Sequence, residues 1–304
     1  MNAIQNRYDF VYYFDCQDGN PNGDPDADNM PRTDPETSQG LVSDVGLKRK
    51  IRDYVLAVKS QNGVVEKGYD VFVLSGASLE SRQALPYKNL TLDNKDSNAK
   101  TSNIARARTF MCENFFDVRA FGAVMSTTEF NCGQVRGPVQ LTFSRSVDPV
   151  LSTEHTITRQ VHTTEKDQQA KAGNGTFGKK HTISYGLYRA HGFLSPAFAE
   201  IGPDPLKAKG TGFSEDDLAL LWKALGNMFD LDHSAARGLM SARKLIVFKH
   251  ASKLGEAPAQ KLFEMVDAKS NREDGNSPRS FADYVWTLPT QAEMPSGVEV
   301  LYPL

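Results

Sequence analysis

Residues 8–15, YDFVYYFD, are apolar at most positions and rich in aromatic and β-branched side chains, which predicts a strand. The next stretch, QDGNPNGDPDADNMPRTDPETSQG, is dense in Gly, Pro, Asn and Asp and predicts a long loop of the kind that carries function. Ser43 is placed to cap a helix running to about Lys59. Leu47, Ile51, Tyr54, Val55 and Val58 recur there at the helical period and form one stripe. Lys48 and Arg52, four apart, share one flank of the stripe, and Arg49 points to the other side. Residues 60–100 are polar and mixed, which predicts an irregular insertion. A helix is expected over 102–116 and strands over 118–126 and 138–147. Residues 148–180 are again polar, and strand character returns at 181–195. Ser214-Glu215-Asp216-Asp217 opens a capped helix with Leu218, Leu221, Trp222, Leu225, Met228 and Phe229 on one face. LMSARKLIVFK, residues 239–249, reads as a buried strand. This order predicts an α+β, ferredoxin-like sandwich with helices on one face of an antiparallel sheet. The two polar stretches would project from it as insertions.

Composition adds limits. The 304 residues are 39% hydrophobic, 10% aromatic and 24% charged, with a net charge of −2, which fits a folded globular chain. No run of about 18 apolar residues occurs, so no membrane partner is expected. The N-terminal segment lacks the pattern of a secretory signal, and the three cysteines are too far apart for a zinc knuckle. A cytoplasmic protein with reduced thiols is expected.

The net charge hides its distribution. Residues 15–36 hold seven acids and one base, Arg32. Residues 48–52, KRKIR, place four cations in five positions. Residues 136–191 hold eight Lys and Arg against four acids, and residues 200–232 hold seven acids against three lysines. A single block reads as a solvated face. Two basic blocks together point to a polyanion bound along one surface.

Catalytic and cofactor motifs fail on context. Gly173-Asn174-Gly175-Thr176-Phe177-Gly178 satisfies G-x-G-x-x-G, but no strand precedes it and strand-like residues follow it, so no nucleotide cofactor is expected there. Asp24, Asp26 and Asp28 alternate as in a calcium loop, yet Asn29 stands at the glycine position and Pro35 at the glutamate position. There is no nucleophile elbow and no histidine pair at i, i+4. No metal and no cofactor are assigned. Arg119 to Val124 faintly matches an RNA-recognition strand, but Ala123 and Ser126 stand where bases would stack. What remains is a binding surface: the cations of residues 48–52, the turn Gly133-Gln134-Val135-Arg136-Gly137, and the hydroxyl-rich run 156–162.

Three runs together carry a resemblance: Asn20-Pro21-Asn22-Gly23-Asp24-Pro25, Ser43-Asp44-Val45-Gly46-Leu47-Lys48-Arg49-Lys50-Ile51-Arg52, and Tyr185-Gly186-Leu187-Tyr188-Arg189-Ala190-His191-Gly192-Phe193. In this order they resemble the Cas-seven backbone subunits of type I-C CRISPR surveillance complexes (Cascade), over essentially the whole chain. The resemblance implies one RNA-recognition-like (ferredoxin-like) palm over residues 1–304, a fingers insertion over 60–117 and a thumb insertion over 148–181. It implies a non-catalytic subunit that polymerises along CRISPR guide RNA and presents kinked base segments to a target DNA strand in antiviral defence. Its other partners would be further copies of itself, a hairpin-holding end subunit, a large subunit and a small subunit.

Carried over residue by residue, the resemblance implies guide contacts at Ser43, Val45, Lys48 and Arg52, with Arg49 beside them. Arg32 and Gln39 in the preceding loop, Gln134 and Arg136 in the glycine-flanked turn, and Ile157, Arg159 and Gln160 in the thumb follow. An apolar thumb side chain, Ile157 or Val161, would wedge at the kink, and Arg189 and His191 would contact RNA or pack. The acidic 200–232 block would meet a neighbouring copy. Two other readings stay open at this stage: a metal-dependent ribonuclease using Asp24, Asp28 or Asp34 on guide-paired target RNA, and a scaffold that assembles without RNA.

Overall fold

The computed structural model describes residues 2–93, 100–126, 128–158, 164–166, 177–201, 210–272 and 276–304. Its centre is an antiparallel sheet of eight strands: β1 (Tyr8–Gly19), β2 (Gln39–Val42), β3 (Val139–Leu141), β4 (Ser144–Pro149), β5 (Ser152–Thr158), β6 (Phe177–Leu194), β7 (Leu239–His250) and β8 (Val298–Leu301). The order across it is β8-β7-β1-β6-β4-β2, and β3 and β5 also pair with β6. β1 lies between β6 (Tyr8↔Leu194 to Gly19↔Ile183) and β7 (Tyr8↔Lys249 to Gln17↔Leu239).

The unbroken apolar run Phe10–Phe14 of β1 follows from burial on both faces. Phe10, Tyr12, Phe14 and Cys16 face one core; Val11 and Tyr13 face another. The first core is closed by α1 (Asp44–Lys59) through Leu47, Ile51 and Val55, and by a second long helix, Glu215–Asn227, through Leu218, Leu221 and Leu225. Both start where the sequence places them. The Ser43 side chain accepts from Gly46 N–H, and Ser214 with Asp217 forms a complete capping box. The second core is closed by the chain after β7. A short helix (Ala259–Phe263) and a hairpin of Asp267–Ser270 with Tyr284–Thr287 lay Leu262, Phe263, Val266 and Tyr284 over Ile246 and Phe248.

Two expected segments differ. Residues 60–100 are not irregular throughout: α2 (Leu79–Asn89), capped by Ser78, packs through Tyr87 on α3 (Lys100–Asn114). Its signal was weak because Pro86 sits inside it and polar Gln83 is fully buried. The expected strand at 118–126 begins as α4 (Phe116–Phe121) and becomes extended only at Gly122–Met125, which pairs with Gly133–Arg136. Arg119 explains the helix. Its guanidinium is buried, grips both oxygens of Asp217, and donates to the Cys112 and Gly68 carbonyls. The match to an RNA-recognition strand there is therefore not realised. Within the polar stretch 148–180, β5 and residues 177–180 of β6 form a two-stranded arm exposed on both faces, and β6 becomes buried only from His181 on. All three cysteines are buried and free, and no helix among the described residues is long and apolar enough to cross a membrane.

Candidate nucleic-acid interface

The asparagine-rich loop is clamped to the start of α1. Asn22 Oδ1 accepts from Ser43 N–H at 2.9 Å, Arg32 N–H donates to the Asn22 carbonyl, and Asn20 Nδ2 donates to the Asn29 carbonyl at 2.6 Å. This holds Arg32, which pairs loosely with Asp24 at 3.4 Å, beside the first turn of the helix. Val45 projects there, 64% exposed, on a turn whose free N–H groups and dipole favour an anion.

Lys48 and Arg52 follow on the same flank, each with its cationic group 5.6 Å from the ring centre of Phe121. They are held differently. Lys48 Nζ reaches Asp44 at 2.9 Å, a half-buried partner one helical turn back on the same helix. Arg52 Nε donates to Asp117 at 2.7 Å. Asp117 is buried and also accepts from the backbone N–H groups of Phe72, Val73 and Val118. Arg52 thereby ties α1 to the 72–118 unit.

Phe121 leads into the hairpin that carries Gln134 and Arg136. Gly122 has φ +78°, and a Cβ on Gly137 would lie 2.3 Å from the Ala120 carbonyl, so only glycine allows this backbone crossing. Both Gln134 and Arg136 are exposed, and Arg136 lies 4.2 Å from the Phe198 ring centre. Gly122 pairs with Arg136 directly, which links the Lys48 and Arg52 flank to the hairpin. The structure thus brings Arg32, Ser43, Val45, Lys48, Arg52 and Arg136 around one helix start and its neighbouring hairpin.

Other expected residues fall elsewhere. Arg49 turns to the opposite flank, where it pairs with Asp53 and with Asp232 at 2.8 Å. Gln39 donates to the Ser146 carbonyl at 2.9 Å on the far face of the sheet. Arg189 and His191 lie on that far face too. Arg189 Nε donates to His191 Nε2 at 3.1 Å and Nη2 donates to the Phe263 carbonyl at 2.6 Å. Burial, with Arg189 beside it, pulls His191 down to a pKa of about 4. Ile157 stands near the end of the described arm, 51% exposed, opposite Gly178, with exposed Phe177 next along. Arg159, Gln160 and Val161 lie outside the described residues.

The acidic 200–232 block divides. Asp232 gathers Arg49, Lys50 and Arg237, and buried Asp217 holds Arg119. Glu215, Asp216 and Asp230 stay exposed, and Glu200 meets Lys253 at the surface. Among the described residues no three His, Cys, Asp or Glu converge in metal-binding geometry. Asp34 instead pairs with Arg145, which holds its carboxyl below the usual range.

The model of the family "CRISPR-associated protein Cas7" matches residues 6–289. The chain belongs to the Cas7 family. A Cas7 protein of Haloferax volcanii is 28% identical over 245 residues, covering 73% of this chain and 65% of its own length. The chain therefore spans slightly less than two thirds of that relative. Solved structures that are similar include a chain of a "CRISPR RNA-guided surveillance complex, pre-nicking", with TM-score 0.47, 12% identity and coverage of 80% of this chain and 78% of that one. Another, from a "CRISPR RNA-guided surveillance complex", has TM-score 0.45 and 14% identity, with coverage of 88% and 78%.

Three residues of this Cas7 surface escaped the sequence reading. Phe121, Asp117 and Phe198 shape it without being basic. Phe121 lay in a segment read as a strand and Asp117 at the break before it, so nothing marked them as the seat of two cations from a helix some 65 residues earlier.

Proposed function

We propose that this chain is a non-catalytic backbone subunit of a type I-C CRISPR surveillance complex in the cytoplasm. Several copies lie head to tail along one guide RNA, hold its phosphates, and leave kinked base segments free to pair with a target DNA strand. A hairpin-holding subunit, a large subunit and a small subunit complete the assembly. The observation that carries this reading is the family match over residues 6–289.

The architecture supports it. β1, α1, β4, β6, the helix Glu215–Asn227 and β7 follow a β-α-β-β-α-β order, with β7-β1-β6-β4 side by side and both helices on one face. This order and the one-sided placing of the helices support the proposal of an RNA-recognition-like palm. In this reading the helical unit within 60–117 is the fingers and the β5–β6 arm within 148–181 is the thumb. The second sheet face, where an RNA-recognition fold stacks bases, is largely covered by the chain after β7. The guide then runs past the start of α1 instead.

In that path the first turn of α1, with Ser43 and Val45, receives a phosphate. Arg32, Lys48, Arg52 and Arg136 supply charge, and Gln134 supplies a hydrogen bond. Ile157 wedges at the kink, helped by Arg159 and Gln160. Phosphate contacts fix position while base pairing reads sequence. The chain's part is therefore electrostatic, and affinity falls with salt at about 0.7 log units per log unit for each phosphate neutralised on a single strand. The test is to purify the protein with its partner subunits at moderate salt and sequence the RNA that accompanies it. Discrete CRISPR repeat–spacer RNAs are expected. Random RNA, or none, overturns the reading, and magnesium-dependent cuts in a complementary RNA that vanish in Asp34→Ala would replace it with the ribonuclease.

A further inference from the structure

The hairpin of Gly122–Met125 with Gly133–Arg136 has two unlike faces. Ala123, Met125 and Val135 turn inward onto the core of the helical unit. Val124, Gln134 and Arg136 alternate with them and turn outward, Val124 at 60% exposure and both polar side chains exposed. Val124 is the direct partner of Gln134, and Gly122 that of Arg136, so no cross-strand side chain covers the guanidinium.

Phe198 backs that guanidinium. Val139 of β3 pairs with Leu194, and Ser195 N–H donates to the Pro138 carbonyl at 3.1 Å, so Arg136 and Phe198 meet just off the end of this pairing. The ring is seated by its own backbone. Phe198 N–H donates to the Ser195 carbonyl at 3.1 Å, and the Phe198 carbonyl accepts from Thr211 N–H at 2.9 Å. The 4.2 Å from Arg136 to the ring centre is the closest arginine–ring approach among the described residues, the others lying at 4.9 Å or more. Arg136 also has no acid partner among the described residues, whereas Arg32, Arg49, Arg52, Arg119 and Arg145 each have one. A cation that meets only phosphate needs no ring behind it. A guanidinium held against an aromatic ring, with its other side in solvent, is a flat platform of the kind on which bases stack.

We propose that the outward face of this hairpin seats one base of the guide strand, stacked on the Arg136 guanidinium with Phe198 behind it, its edge on the Gln134 amide and its flank on Val124. The amide both donates and accepts, and stacking tolerates every base, so the seat holds a base without reading it. Phe198 acts through Arg136 as a positioning residue. The seat rests on the guide-RNA reading above, and adds a base contact where that reading asks only for charge and a hydrogen bond.

The experiment is titration of the full chain with a single-stranded oligouridine and with an abasic oligomer of the same length, which keeps every phosphate and lacks the bases. Arg136→Lys keeps the charge and loses the flat platform, and Phe198→Leu removes the ring behind it. Each should weaken oligouridine binding about fivefold and the abasic oligomer by at most about twofold, with the salt slope on oligouridine unchanged. Arg136→Lys alters only an exposed side chain, so it carries the test if Phe198→Leu lowers the melting temperature. Equal losses on the two oligomers, which mark a phosphate contact or a structural role, overturn the proposal. So does oligouridine binding indifferent to both variants, or no saturable binding of either oligomer. The RNA that accompanies the purified complex separates the two claims. Discrete guide RNA with equal losses on both oligomers defeats the seat alone, and base-dependent losses in a complex that carries random RNA defeat only the guide reading.

Discussion

Lys48 and Arg52 carry the same charge and sit one turn apart on α1, yet their substitutions test different things. Lys48 is answered by Asp44, a half-buried i, i+4 partner whose pairing is worth only about 0.2–0.5 kcal/mol. Lys48→Gln should weaken guide RNA binding about five- to tenfold and lower the salt slope by about 0.7, with thermal stability unchanged, as a titration across salt concentrations will show. Arg52 neutralises a buried carboxylate. Arg52→Gln should cost about 2–3 kcal/mol in urea unfolding, because Asp117 keeps its backbone donors but loses its counter-charge. A loss of RNA binding in that variant alone is thus ambiguous, whereas the Lys48 result is not. His191 supplies a third residue-level outcome. Its folded pKa of about 4 lies below the ordinary 6.5, so the unfolded chain takes up the proton first. The stability it contributes is complete above about pH 6.5 and is lost as pH falls toward 4. After allowance for its partial exposure this is ~1–2 kcal/mol. His191→Gln should flatten that part of the acid limb in pH-dependent unfolding.

Among the elements, the ones that declared themselves in the sequence are those with a regular apolar period and a capping side chain. α1 and the Glu215–Asn227 helix have both, and they begin at Ser43 and Ser214 as their caps require. β1, β6 and β7 were legible from their length and aromatic content. α2 and α4 were not, since one buries a glutamine and the other a salt-bridged arginine in place of a plain apolar stripe. The cover of the second sheet face was equally hidden, because it is made of a five-residue helix and four-residue strands with no period long enough to read. The glycine-flanked turn was legible as a feature but not as a joint. Gly137→Ala forces a Cβ onto the backbone of 120–122. It should destabilise the protein by about 2–3 kcal/mol in denaturant unfolding and displace Gln134 and Arg136, reducing guide affinity at least as much as Lys48→Gln does. Unchanged stability would contradict this close crossing of the hairpin over 120–122.

For the whole molecule, a strand order of β7-β1-β6-β4 with helices on one face leaves three regions projecting or exposed: the helical unit, the β5–β6 arm and the α1 start. The near-neutral net charge conceals this, since two acids of the 200–232 block, Asp217 and Asp232, are spent on Arg119, Arg49 and Lys50 inside the chain. In the proposed function the subunit repeats along guide RNA by contacts that do not close into a ring. Copy number should then be set by the length of RNA and not by the protein. Native mass spectrometry of complexes assembled on guide RNAs of increasing spacer length tests this directly. The account predicts that bound copies rise in single steps at a constant increment of nucleotides per copy. A fixed copy number at every length, or particles of one size that form without RNA, would contradict it.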